Sequence, residues 1–547
     1  MSSVIGRGVI ANRFVTYAQQ TRYLIFAGSV HDSTLADNGL FDAEEAQLGK
    51  AIENQQNETI VYFSSCSILD PDQVDSPYAQ HKLRMEKKLQ TSSVRYVIFR
   101  LPQLLGLGDE KTSLVNFLVD SIGNGRSFQL WQNAQRNFID IDDVYRIAHD
   151  MLSNACPTDR IINICNTNNT PVAELVKTLE AYLGKPSHCQ LKDKDSSFAI
   201  DTADIRPVIS KLGIDFQPGY LEKCIDKYYR HLVKPPLRLS VIVPTYNEEH
   251  GIEEFYRRTK HVLNLIAPRF EHEMIFVNDF STDETLGKLQ KLALADPAVK
   301  VISFSRNFGN QIAITAGIDA ASGDIAIIID DDLQDPPEVM LDLIALWSDG
   351  YKVVYGYRPK RHGVNPFFKL MAKLYYRVIG ALSETRIPKD TGDFRLIDRE
   401  VIEVLKSMRE ENRYYRGMVS WVGFSQIGWF YERDKRYAGT STFSFRKYVN
   451  FALNGLTSFT DKPLYFSSLL GFFITVAGFV LALSLVVAKL LDPSISIRGW
   501  TSLVAIVIFF GGIQLFSIGV LGIYISKIYR EVKGRPLYIV SKKINIE

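Results

Sequence analysis

Residues 325–337 read IAIIIDDDLQDPP, and this stretch decides the fold class of the second half of the chain. Its apolar run, Ile325–Ile329, predicts a buried strand, and three aspartates, Asp330–Asp332, follow directly. Ligands of open α/β sheets bind beyond the carboxyl ends of the strands. Alternate residues of an extended chain point the same way. Asp330 and Asp332 are therefore predicted to share one divalent cation, Mg²⁺ or Mn²⁺, rather than to form a solvated acidic turn.

Polar residues also follow two earlier predicted strands, at 245–249 and at 278–283. Apolar strand patterns alternate here with helical patterns, which predicts a largely parallel sheet covered on both faces. The predicted strands are Leu239–Pro244, Glu273–Asp279, Val301–Ser305 and Ile325–Asp330. Their acidic ends are expected to meet in one crevice.

Five motifs in this half of the chain occur together in one family. They are VIVPTYNE at 241–248, VNDFSTD at 277–283, SRNFGN at 305–310, DDDLQDPP at 330–337 and DTGDFR at 390–395. With them, residues 238–540 resemble the polyprenyl-phosphate glycosyltransferases of glycosyltransferase family 2, of the dolichol-phosphate mannose synthase and bactoprenol glucosyltransferase type. The resemblance implies a GT-A fold and a nucleotide-sugar donor.

The resemblance also implies site residues. The implied metal ligands are Asp330, Asp332 and Gln334. The implied nucleotide-sugar contacts are Pro244, Tyr246, Glu248, Asp279, Arg306 and Asp331. Asp393 takes the general-base or phosphate-positioning role, and Asp332 is also counted as catalytic. Because the acceptor phosphate is already a competent nucleophile, little proton abstraction is needed, and the metal's main task is to neutralise the departing nucleoside diphosphate.

Arginines suit the phosphate of a lipid acceptor. The candidate lipid-phosphate contacts are Arg395, Arg413, Arg416, Arg436 and Ser441. The family usually reads Arg-x-x-Gly-x-Ser-Lys in the last segment, but Thr442 stands here in place of the lysine, and Arg446 is the candidate substitute.

Two uncharged runs, 463–488 and 499–526, are each long enough to cross a bilayer. Two runs in tandem favour a transmembrane hairpin over buried helices of a soluble protein. Basic residues flank the pair on both sides, which predicts cytoplasmic flanks. Asn365–Leu382 and Ser444–Phe459 are predicted to be interfacial amphipathic helices that hold the active site against the membrane. We therefore expect an integral protein of the inner or plasma membrane, with its catalytic domains in the cytoplasm.

The N-terminal part carries a second set of motifs. Gly6, Gly8 and Ala11 form a G-x-G-x-x-A pattern after a short predicted strand, which is typical of dinucleotide-binding turns. Ser65, Tyr78 and Lys82 follow as a Ser…Tyr-x-x-x-Lys set. With these residues the first 230 positions resemble the extended short-chain dehydrogenases/reductases (NAD-dependent epimerase/dehydratase type) that act on nucleotide sugars. The resemblance implies NAD or NADP, with Tyr78 as general acid/base assisted by Lys82 and with Ser65 orienting the substrate.

This part also departs from its family. Only some ten residues separate Ala11 from the next predicted strand, so a strand–helix–strand segment is missing. That segment normally holds the acidic residue that binds the adenosine ribose, unless Asp32 or Asp37 substitutes. Two interpretations remain: a compact sugar reductase or epimerase, or a non-catalytic domain that binds sugar or tethers partners. The intact Ser65, Tyr78 and Lys82 favour the enzyme.

Length and composition set the frame for these predictions. The 547 residues suggest about three domains, and we assign them to 1–232, 237–460 and 461–530, with a cytoplasmic tail at 531–547. With 63 basic and 61 acidic residues the net charge is +2, which argues against a nucleic-acid binder. The five cysteines include no C-x-x-C pair, which disfavours a disulfide framework or a zinc site and fits reduced cytosolic thiols.

The combined prediction is a bifunctional membrane enzyme, expected to be a homo-oligomer, in cell-surface polysaccharide biosynthesis. One part transfers a sugar to polyprenyl (undecaprenyl or dolichyl) phosphate at the cytoplasmic face, and the N-terminal part reduces or epimerises the sugar. The alternatives are a processive polysaccharide synthase, which would need more membrane spans, and a membrane-tethered sugar-binding protein, against which the acidic cluster speaks.

Overall fold

The structure is a computed structural model that describes most of the chain. The described residues are 3–6, 8–18, 22–28, 30, 37–54, 59–106, 113–154, 158–267, 269–357, 391–411, 413–431, 469, 471–474, 476–480, 483–484, 487, 491 and 499–546.

The chain divides into two compact units, and the division does not follow one point in the sequence. Unit 1 comprises Met1–Leu239, Glu254–His272 and Pro336–Asp349. Unit 2 comprises Ser240–Glu253, Glu273–Asp335 and Gly350–Glu547. The N-terminal part thus forms one compact unit with two segments that lie beyond the predicted domain boundary near residue 235.

The N-terminal part alternates strands and helices. Its strands are β1 (Val4–Ile5), β2 (Tyr23–Phe26), β3 (Thr59–Ser65), β4 (Arg95–Leu101), β5 (Gln103–Leu105), β6 (Ser127–Arg136), β7 (Phe138–Asp140), β8 (Arg160–Asn163), β9 (Thr170–Pro171) and β10 (His188–Ser196). Its helices are α1 (Val9–Arg13), α2 (Asn38–Asn54), α3 (Pro77–Gln90), α4 (Leu114–Gly123), α5 (Ile141–Ser153), α6 (Val172–Leu183), α7 (Arg206–Leu212) and α8 (Tyr220–Tyr229). Short 3-10 helices lie at Val15–Tyr17, Cys66–Leu69 and Arg230–Leu232.

Five parallel strands form the central sheet of this part, in the order β1-β2-β3-β4-β8. Val4 pairs with Ile25, so β1 and β2 are direct neighbours, and the described residues between them form the five-residue helix α1 and a short 3-10 helix. The strands predicted at 22–26, 59–64 and 94–100 correspond to β2, β3 and β4. The domain is therefore Rossmann-like. The direct pairing of β1 with β2 confirms that the strand–helix–strand segment predicted to be missing is absent between them.

The second half of the chain builds a larger sheet. Its strands are β11 (Leu237–Thr245), β12 (Phe270–Asn278), β13 (Val299–Phe304), β14 (Ile325–Ile328), β15 (Val353–Tyr357), β16 (Thr391–Asp398), β17 (Gln426–Phe430) and β18 (Val540–Ile544). Its helices are α9 (Ile252–Ile266), α10 (Thr285–Ala295), α11 (Asn310–Ala320), α12 (Met340–Ser348), α13 (Arg399–Ser407), α14 (Tyr415–Val422) and α15 (Trp500–Val532), with a 3-10 turn at Pro337–Val339.

The eight strands run in the order β17-β15-β16-β14-β11-β12-β13-β18. β12 and β13 are parallel, as the sequence predicts, but β16 is antiparallel to both β14 and β15, and β18 is antiparallel to β13. The sheet is therefore mixed rather than largely parallel. The antiparallel strands come from segments beyond residue 390, outside the alternating region from which the prediction was made.

One described helix is long and apolar enough to cross a membrane. Its candidate span is Phe509–Val532, within α15, and none of that window is buried. A shorter apolar helix lies at Gly471–Val480, inside the first predicted span. The predicted hairpin is therefore not confirmed, and the predicted interfacial helices at 365–382 and 444–459 lie outside the described residues.

The last strand changes the picture of the C-terminal tail. β18 pairs with β13 through Val301 and Ile544, so the residues after α15 complete an edge of the sheet. Tyr538 stacks on Phe304 with 5.2 Å between ring centroids, and its hydroxyl donates to Asp319 at 2.9 Å. The tail, predicted only as a cytoplasmic extension, is thus part of the folded sheet of unit 2.

Candidate active site

The acidic motif and the Asp393 motif meet at one end of the large sheet. β14 and β16 are antiparallel, and Ile328 pairs with Arg395. Two residues further along, that register brings Asp330 opposite Asp393. Electrostatic repulsion from Asp393 acts on the Asp330 carboxylate, which agrees with this placement. The sheet register therefore joins two motifs that lie some sixty residues apart in the sequence.

The carboxylates at this edge are short of positive charge. Burial, together with Asp393 and other nearby aspartates, raises the pKa of Asp330 to about 7. Burial and the neighbouring Glu248 also raise the pKa of Asp331, whose Oδ2 atom has no hydrogen-bond partner in the described ranges. Among the residues that the structure describes, neither Asp330 nor Asp331 forms an ion pair.

Asp393 has the opposite electrostatic environment. Its Oδ1 accepts from Arg416 Nε at 2.8 Å and its Oδ2 accepts from Arg416 Nη2 at 3.2 Å. Burial alone would raise the pKa of Asp393, but Arg416 and Arg395 outweigh burial and lower it. Gln311 Nε2 lies 3.5 Å from Asp393 Oδ2, and Gln311 Oε1 accepts from the main-chain N–H of Tyr415 at 2.8 Å. Asp393 is therefore held ionised and oriented.

Three non-glycine residues at the strand ends have left-handed backbone conformations. Their φ angles are +55° at Asn247, +62° at Phe280 and +57° at Leu333. Such conformations are costly for L-residues and cluster at functional sites. Asn247 follows β11, Phe280 follows β12 and Leu333 follows the aspartates after β14. The strain lies at the strand ends where the sequence places the donor site.

The loops after β11 and β12 are tied together by side chains. Ser281 Oγ accepts from the main-chain N–H of Asn247 at 3.0 Å, and Asn247 Oδ1 accepts from that of Thr282 at 2.8 Å. Thr285 Oγ1 accepts from the main-chain N–H of Glu248 at 2.9 Å. Both loops therefore form one continuous rim, which carries the predicted nucleotide contacts Tyr246 and Glu248.

Asp279 organises the next loop of this rim. Its carboxylate accepts main-chain N–H groups of Phe308 at 2.6 Å and of Gly309 at 2.8 Å, while burial raises its pKa. Gly309 has φ +96°, a conformation that suits glycine, and it precedes α11. The carboxylate thus fixes the SRNFGN loop, a role that the sequence alone did not indicate.

The remaining predicted residues occupy different environments. Pro244 is buried at the end of β11, Tyr246 is 48% exposed, and the Arg306 guanidinium lies 4.2 Å from the ring centroid of Phe308. Asp332 is buried and its Oδ1 accepts from the main-chain N–H of Gln334 at 3.1 Å.

The candidate phosphate-binding arginines separate into groups. Arg416 contacts Asp393 directly, whereas Arg395 is buried and donates to the Gly392 carbonyl at 2.9 Å. Arg413 donates to the carbonyls of Met408 at 2.6 Å and Leu405 at 3.3 Å, at the end of α13. The structure thus brings Arg395 and Arg416 to Asp393, while Arg413 caps a helix. Arg436 and Ser441 lie outside the described residues.

The donor set of this edge suits a hard divalent cation. No group of three or more His, Cys, Asp or Glu residues in metal-binding proximity occurs among the described residues. The chemistry nevertheless fits, because within the described part of the chain no cation pairs with the carboxylates of Asp330 and Asp331, and Asp331 Oδ2 has no hydrogen-bond partner there. Oxygen ligands of this kind are those that Mg²⁺ and Mn²⁺ prefer, usually with substrate phosphates completing the coordination.

A second site lies in the N-terminal part. One pocket is lined by Gly8, Ser65, Tyr78 and Lys82, so four of the six predicted residues come together. Gly6 and Gly8 have φ angles of +129° and +116°, and a Cβ at Gly6 would lie 2.5 Å from the Ala27 carbonyl oxygen. Both glycines are therefore required by the backbone of the turn.

Two buried residues near Lys82 were not predicted: Glu44, which pairs with the lysine, and His81, which contacts Glu44. Lys82 Nζ lies 3.1 Å from Glu44 Oε1, and His81 Nε2 lies 3.0 Å from Glu44 Oε2. Glu44 and His81 are fully buried, and the Lys82 side chain is 4% exposed. A histidine beside the motif lysine was the available signal in the sequence, but nothing there showed that Glu44 would face it.

The pocket fits a nicotinamide cofactor only in part. Ser65, Tyr78 and Lys82 would contact the nicotinamide end of such a cofactor, and Gly8 would face its pyrophosphate. For the adenosine half, the segment that would carry the acidic ribose contact is absent between β1 and β2. Asp37, a candidate substitute, accepts the main-chain N–H of Gly39 at 2.8 Å as α2 begins, and Asp32 lies outside the described residues.

Models of two protein families match the two halves of the chain. The glycosyl transferase family 2 model matches residues 240–406, and the NAD dependent epimerase/dehydratase family model matches residues 45–165. The second match begins inside α2, so it does not include the Gly6–Ala11 turn.

Several glycosyltransferases align with the second half of the chain. An uncharacterized glycosyltransferase of Bacillus subtilis, YkcC, is 45% identical over 57% of this chain and 95% of its own length. The SfII prophage-derived bactoprenol glucosyl transferase of Shigella flexneri is 40% identical over 56% of this chain and 98% of its own length.

Among solved structures, UDP-glucose 4-epimerase of Thermotoga maritima aligns at 16% identity and a TM-score of 0.32, covering 40% of this chain and 80% of that one. A score at this level carries no functional argument. The transferase relatives are nearly fully covered at 40–45% identity. The chain therefore belongs to glycosyltransferase family 2, with an added N-terminal domain that matches the NAD-dependent epimerase/dehydratase family.

Proposed function

We propose that the chain transfers a sugar from a nucleotide-sugar donor to polyprenyl phosphate at the cytoplasmic face of a membrane. The observation that carries the proposal is the meeting of Asp330–Asp332 with the Asp393–Arg416 pair at one edge of the sheet. Relatives named bactoprenol glucosyl transferase support a polyprenyl acceptor.

The end of the large sheet that carries Asp330–Asp332 and Asp393 is called the acid edge below, and each group there has a proposed role. Asp330, Asp332 and Gln334 are the proposed ligands of Mg²⁺ or Mn²⁺, which when bound would neutralise the charge of the leaving nucleoside diphosphate. Asp393 positions the acceptor phosphate together with Arg416, and the rim from Pro244 to Glu248, with Asp279, Arg306 and Asp331, holds the nucleotide. Arg395, Arg436 and Ser441 are further candidates for the lipid phosphate.

The membrane arrangement is part of the proposal. The exposed apolar face of α15 supports a membrane span, and we propose that the run at 463–488 forms the other arm of a hairpin. The proposed domains are 1–232, 237–460 and 461–530, with the catalytic domains in the cytoplasm and the chain assembled as a homo-oligomer.

Product analysis tests the transferase proposal. Purified full-length protein in detergent is incubated with undecaprenyl phosphate, Mg²⁺ and one nucleotide sugar at a time, and the lipid products are identified by mass spectrometry. One donor is expected to yield a hexosyl or modified-hexosyl undecaprenyl phosphate. Absence of lipid-linked sugar with every donor, from protein that still binds nucleotide, would refute the proposed acceptor.

For the N-terminal domain we propose an NAD(P)-dependent reductase or epimerase that acts on the nucleotide- or lipid-linked sugar. The convergence of Ser65, Tyr78 and Lys82 on one pocket favours this function over a non-catalytic sugar-binding or tethering module. Titration of NADH and NADPH into the full chain, followed by cofactor fluorescence, tests it. We expect saturable cofactor binding in the wild type. Tyr78→Phe should keep this binding but lose sugar conversion. If neither cofactor binds, the non-catalytic module remains as the function of the domain.

A further inference from the structure

We infer that Glu44 is a positioning residue for Lys82: its buried carboxylate holds the lysine ammonium at the wall of the N-terminal pocket, where the ammonium meets a hydroxyl or phosphate oxygen of a bound nucleotide ligand. The identity of that ligand rests on the function proposed for the N-terminal domain. The Glu44–Lys82 interaction itself does not.

The pair is buried and geometrically well formed. Glu44 Oε1 lies 3.1 Å from Lys82 Nζ, and the two side chains come from different helices, α2 and α3. Their exposed fractions are 0% for Glu44 and 4% for Lys82. In such surroundings an unpaired charge is strongly disfavoured, so each group depends on the other to remain ionised.

A glycine makes room for the carboxylate. A Cβ added at Gly28 would lie 1.8 Å from Glu44 Oε1 and 2.8 Å from its Cδ. Gly28 follows β2 and lines the same pocket as Lys82. The carboxylate thus lies directly against the main chain at this point of the pocket wall. A side chain at position 28 would overlap the carboxylate and displace it.

His81 supports the carboxylate without replacing the lysine. Its Nε2 faces Glu44 Oε2 at 3.0 Å, and its ring stacks on Phe41 at 4.6 Å between centroids. Its Nδ1 is buried and has no hydrogen-bond partner in the part of the chain that the structure describes, so a proton there would have no acceptor among those residues. The arrangement favours the tautomer that donates from Nε2, which leaves Lys82 as the cation that balances Glu44.

The ammonium remains available to a ligand. Lysine has three N–H donors, and among the described residues its hydrogen-bond partner is Glu44. Its Nζ lies 5.7 Å from the ring centroids of both Tyr62 and Tyr78, and Lys82 and Tyr78 line the same pocket. Burial lowers the pKa of Lys82 and Glu44 opposes that effect, so loss of the carboxylate is expected to discharge the lysine.

The test measures the protonation of Lys82 directly in the full-length protein. Competitive acetylation at a series of pH values, read out by mass spectrometry of tryptic peptides, gives an apparent pKa for each lysine. Glu44→Gln is expected to lower the apparent pKa of Lys82 by about one unit or more. The matched control is Glu45→Gln, on the same helix, because Glu45 pairs with Lys88 at 3.2 Å with both side chains 35% exposed. There a shift of less than about 0.3 unit is expected at Lys88.

The titratable groups that face Lys82 and its partner carboxylate are Glu44 from α2, Tyr62 from β3, and Tyr78 and His81 from α3. His81→Gln is therefore measured as a second control. Above pH 7.5, the pH dependence of Lys82 acetylation in this variant is expected to match that of the wild type. An unchanged Lys82 in Glu44→Gln would overturn the inference.

Measurements of nucleotide affinity distinguish the effect of the position of the Lys82 ammonium from the effect of its charge. Glu44→Asp keeps the charge but shortens the reach, so it is expected to weaken NADH or nucleotide-sugar binding about tenfold while Lys82 stays protonated. In a Lys82→Met background Glu44→Gln should cause no further loss, since both variants act through one ammonium. A further loss of equal size in that background would show a merely structural role. If the wild type binds no nucleotide, the proposed sugar-modifying function fails, but the acetylation result still decides the role of Glu44. If Glu44→Gln does not fold, the test uses Glu44→Asp and the double variant Glu44→Gln/Lys82→Met, in which both members of the pair are neutral.

Discussion

The N-terminal pocket and the acid edge of the transferase sheet both bury charged side chains, but they balance the charge in different ways. In the pocket, the charge of Glu44 is balanced by Lys82, and His81 forms a hydrogen bond with the same carboxylate. At the acid edge, the described residues provide neither a cation for Asp330 and Asp331 nor a hydrogen-bond partner for Asp331 Oδ2. Among the described residues, the first region therefore pairs its buried charges, whereas the second leaves Asp330 and Asp331 without a countercharge.

This difference bears on how each region should respond to change. A buried charge that is paired inside the chain contributes to the stability and geometry of its domain. Buried charges of one sign that are left unpaired are the usual mark of a binding or catalytic site. Substitutions in the pocket should therefore alter local stability and the state of Lys82, while substitutions at the acid edge should alter transfer with little loss of stability.

The largest effect is expected at the acid edge. Asp332→Asn should lower kcat/KM for sugar transfer by about 10³-fold, because it weakens a proposed cation ligand while it keeps the shape of the side chain. Transfer is measured by lipid-linked product at several Mg²⁺ and Mn²⁺ concentrations. Glu403→Gln, a surface residue 55% exposed in an ion pair with Arg399, is the matched acidic control and should remain fully active. Full transfer by Asp332→Asn would refute the assignment.

The two arginines that the sequence treats alike should differ. Arg416→Ala is expected to lower kcat by about 10²-fold, because Asp393 loses its bidentate partner. Arg416→Lys should recover only part of this loss, since lysine cannot pair in the bidentate mode. Arg413→Ala should leave transfer nearly intact and cost about 1 kcal/mol of stability, because it caps α13. Equal losses of transfer in both alanine variants would contradict the separation.

Within the pocket the main effect should be local. Gly28→Ala is expected to destabilise the region around α2 and α3 by about 2 kcal/mol, because the new methyl group would overlap Glu44 Oε1. Hydrogen exchange of peptides from α3 measures this loss. Glu44→Ala in the Gly28→Ala background should relieve the overlap. Gly123→Ala is the control, since nothing lies within 4 Å of its Cβ position, and protection there should change by less than about 1 kcal/mol.

The smallest effect concerns the tail that completes the transferase sheet. Tyr538→Phe removes the hydrogen bond to Asp319 but keeps the stacking on Phe304, so a loss of about 1 kcal/mol is expected. The midpoint of thermal unfolding in detergent measures it. Ile539→Val, at a neighbouring side chain that is 55% exposed, should cause no measurable shift. A larger effect at Ile539 than at Tyr538 would count against the tail contacts described above.

Local pattern predicted the elements better than their partners. The strands expected at 59–64 and 94–100 are present as β3 and β4, and the apolar run before Asp330 is β14. The missing strand–helix–strand segment was also visible from the short spacing between Ala11 and Arg22, and β1 lies directly beside β2. These features depend on residues close together in the sequence, where apolar spacing and turn residues dominate.

Long-range pairing was not predicted. The antiparallel position of β16 and the return of β18 to β13 depend on which edge offers free main-chain groups, which no local pattern encodes. Glu44 was not predicted for the same reason. Its helix, α2, has no motif that marks this residue. Its role depends on the packing of α3, which brings Lys82 to it, and on the space that Gly28 leaves for its carboxylate.

By itself, the sequence determined the two families, the acid motifs, the Ser…Tyr-x-x-x-Lys set and an apolar run that becomes α15, because these are properties of residue type and short spacing. Tertiary structure alone decided that Asp393 faces Asp330, that Arg416 rather than Arg413 reaches Asp393, and that Lys82 is held by Glu44. The physical reason is that charge balance in a buried site depends on distance in space, and residues 38 or 63 positions apart along the chain become neighbours only when strands register and helices pack.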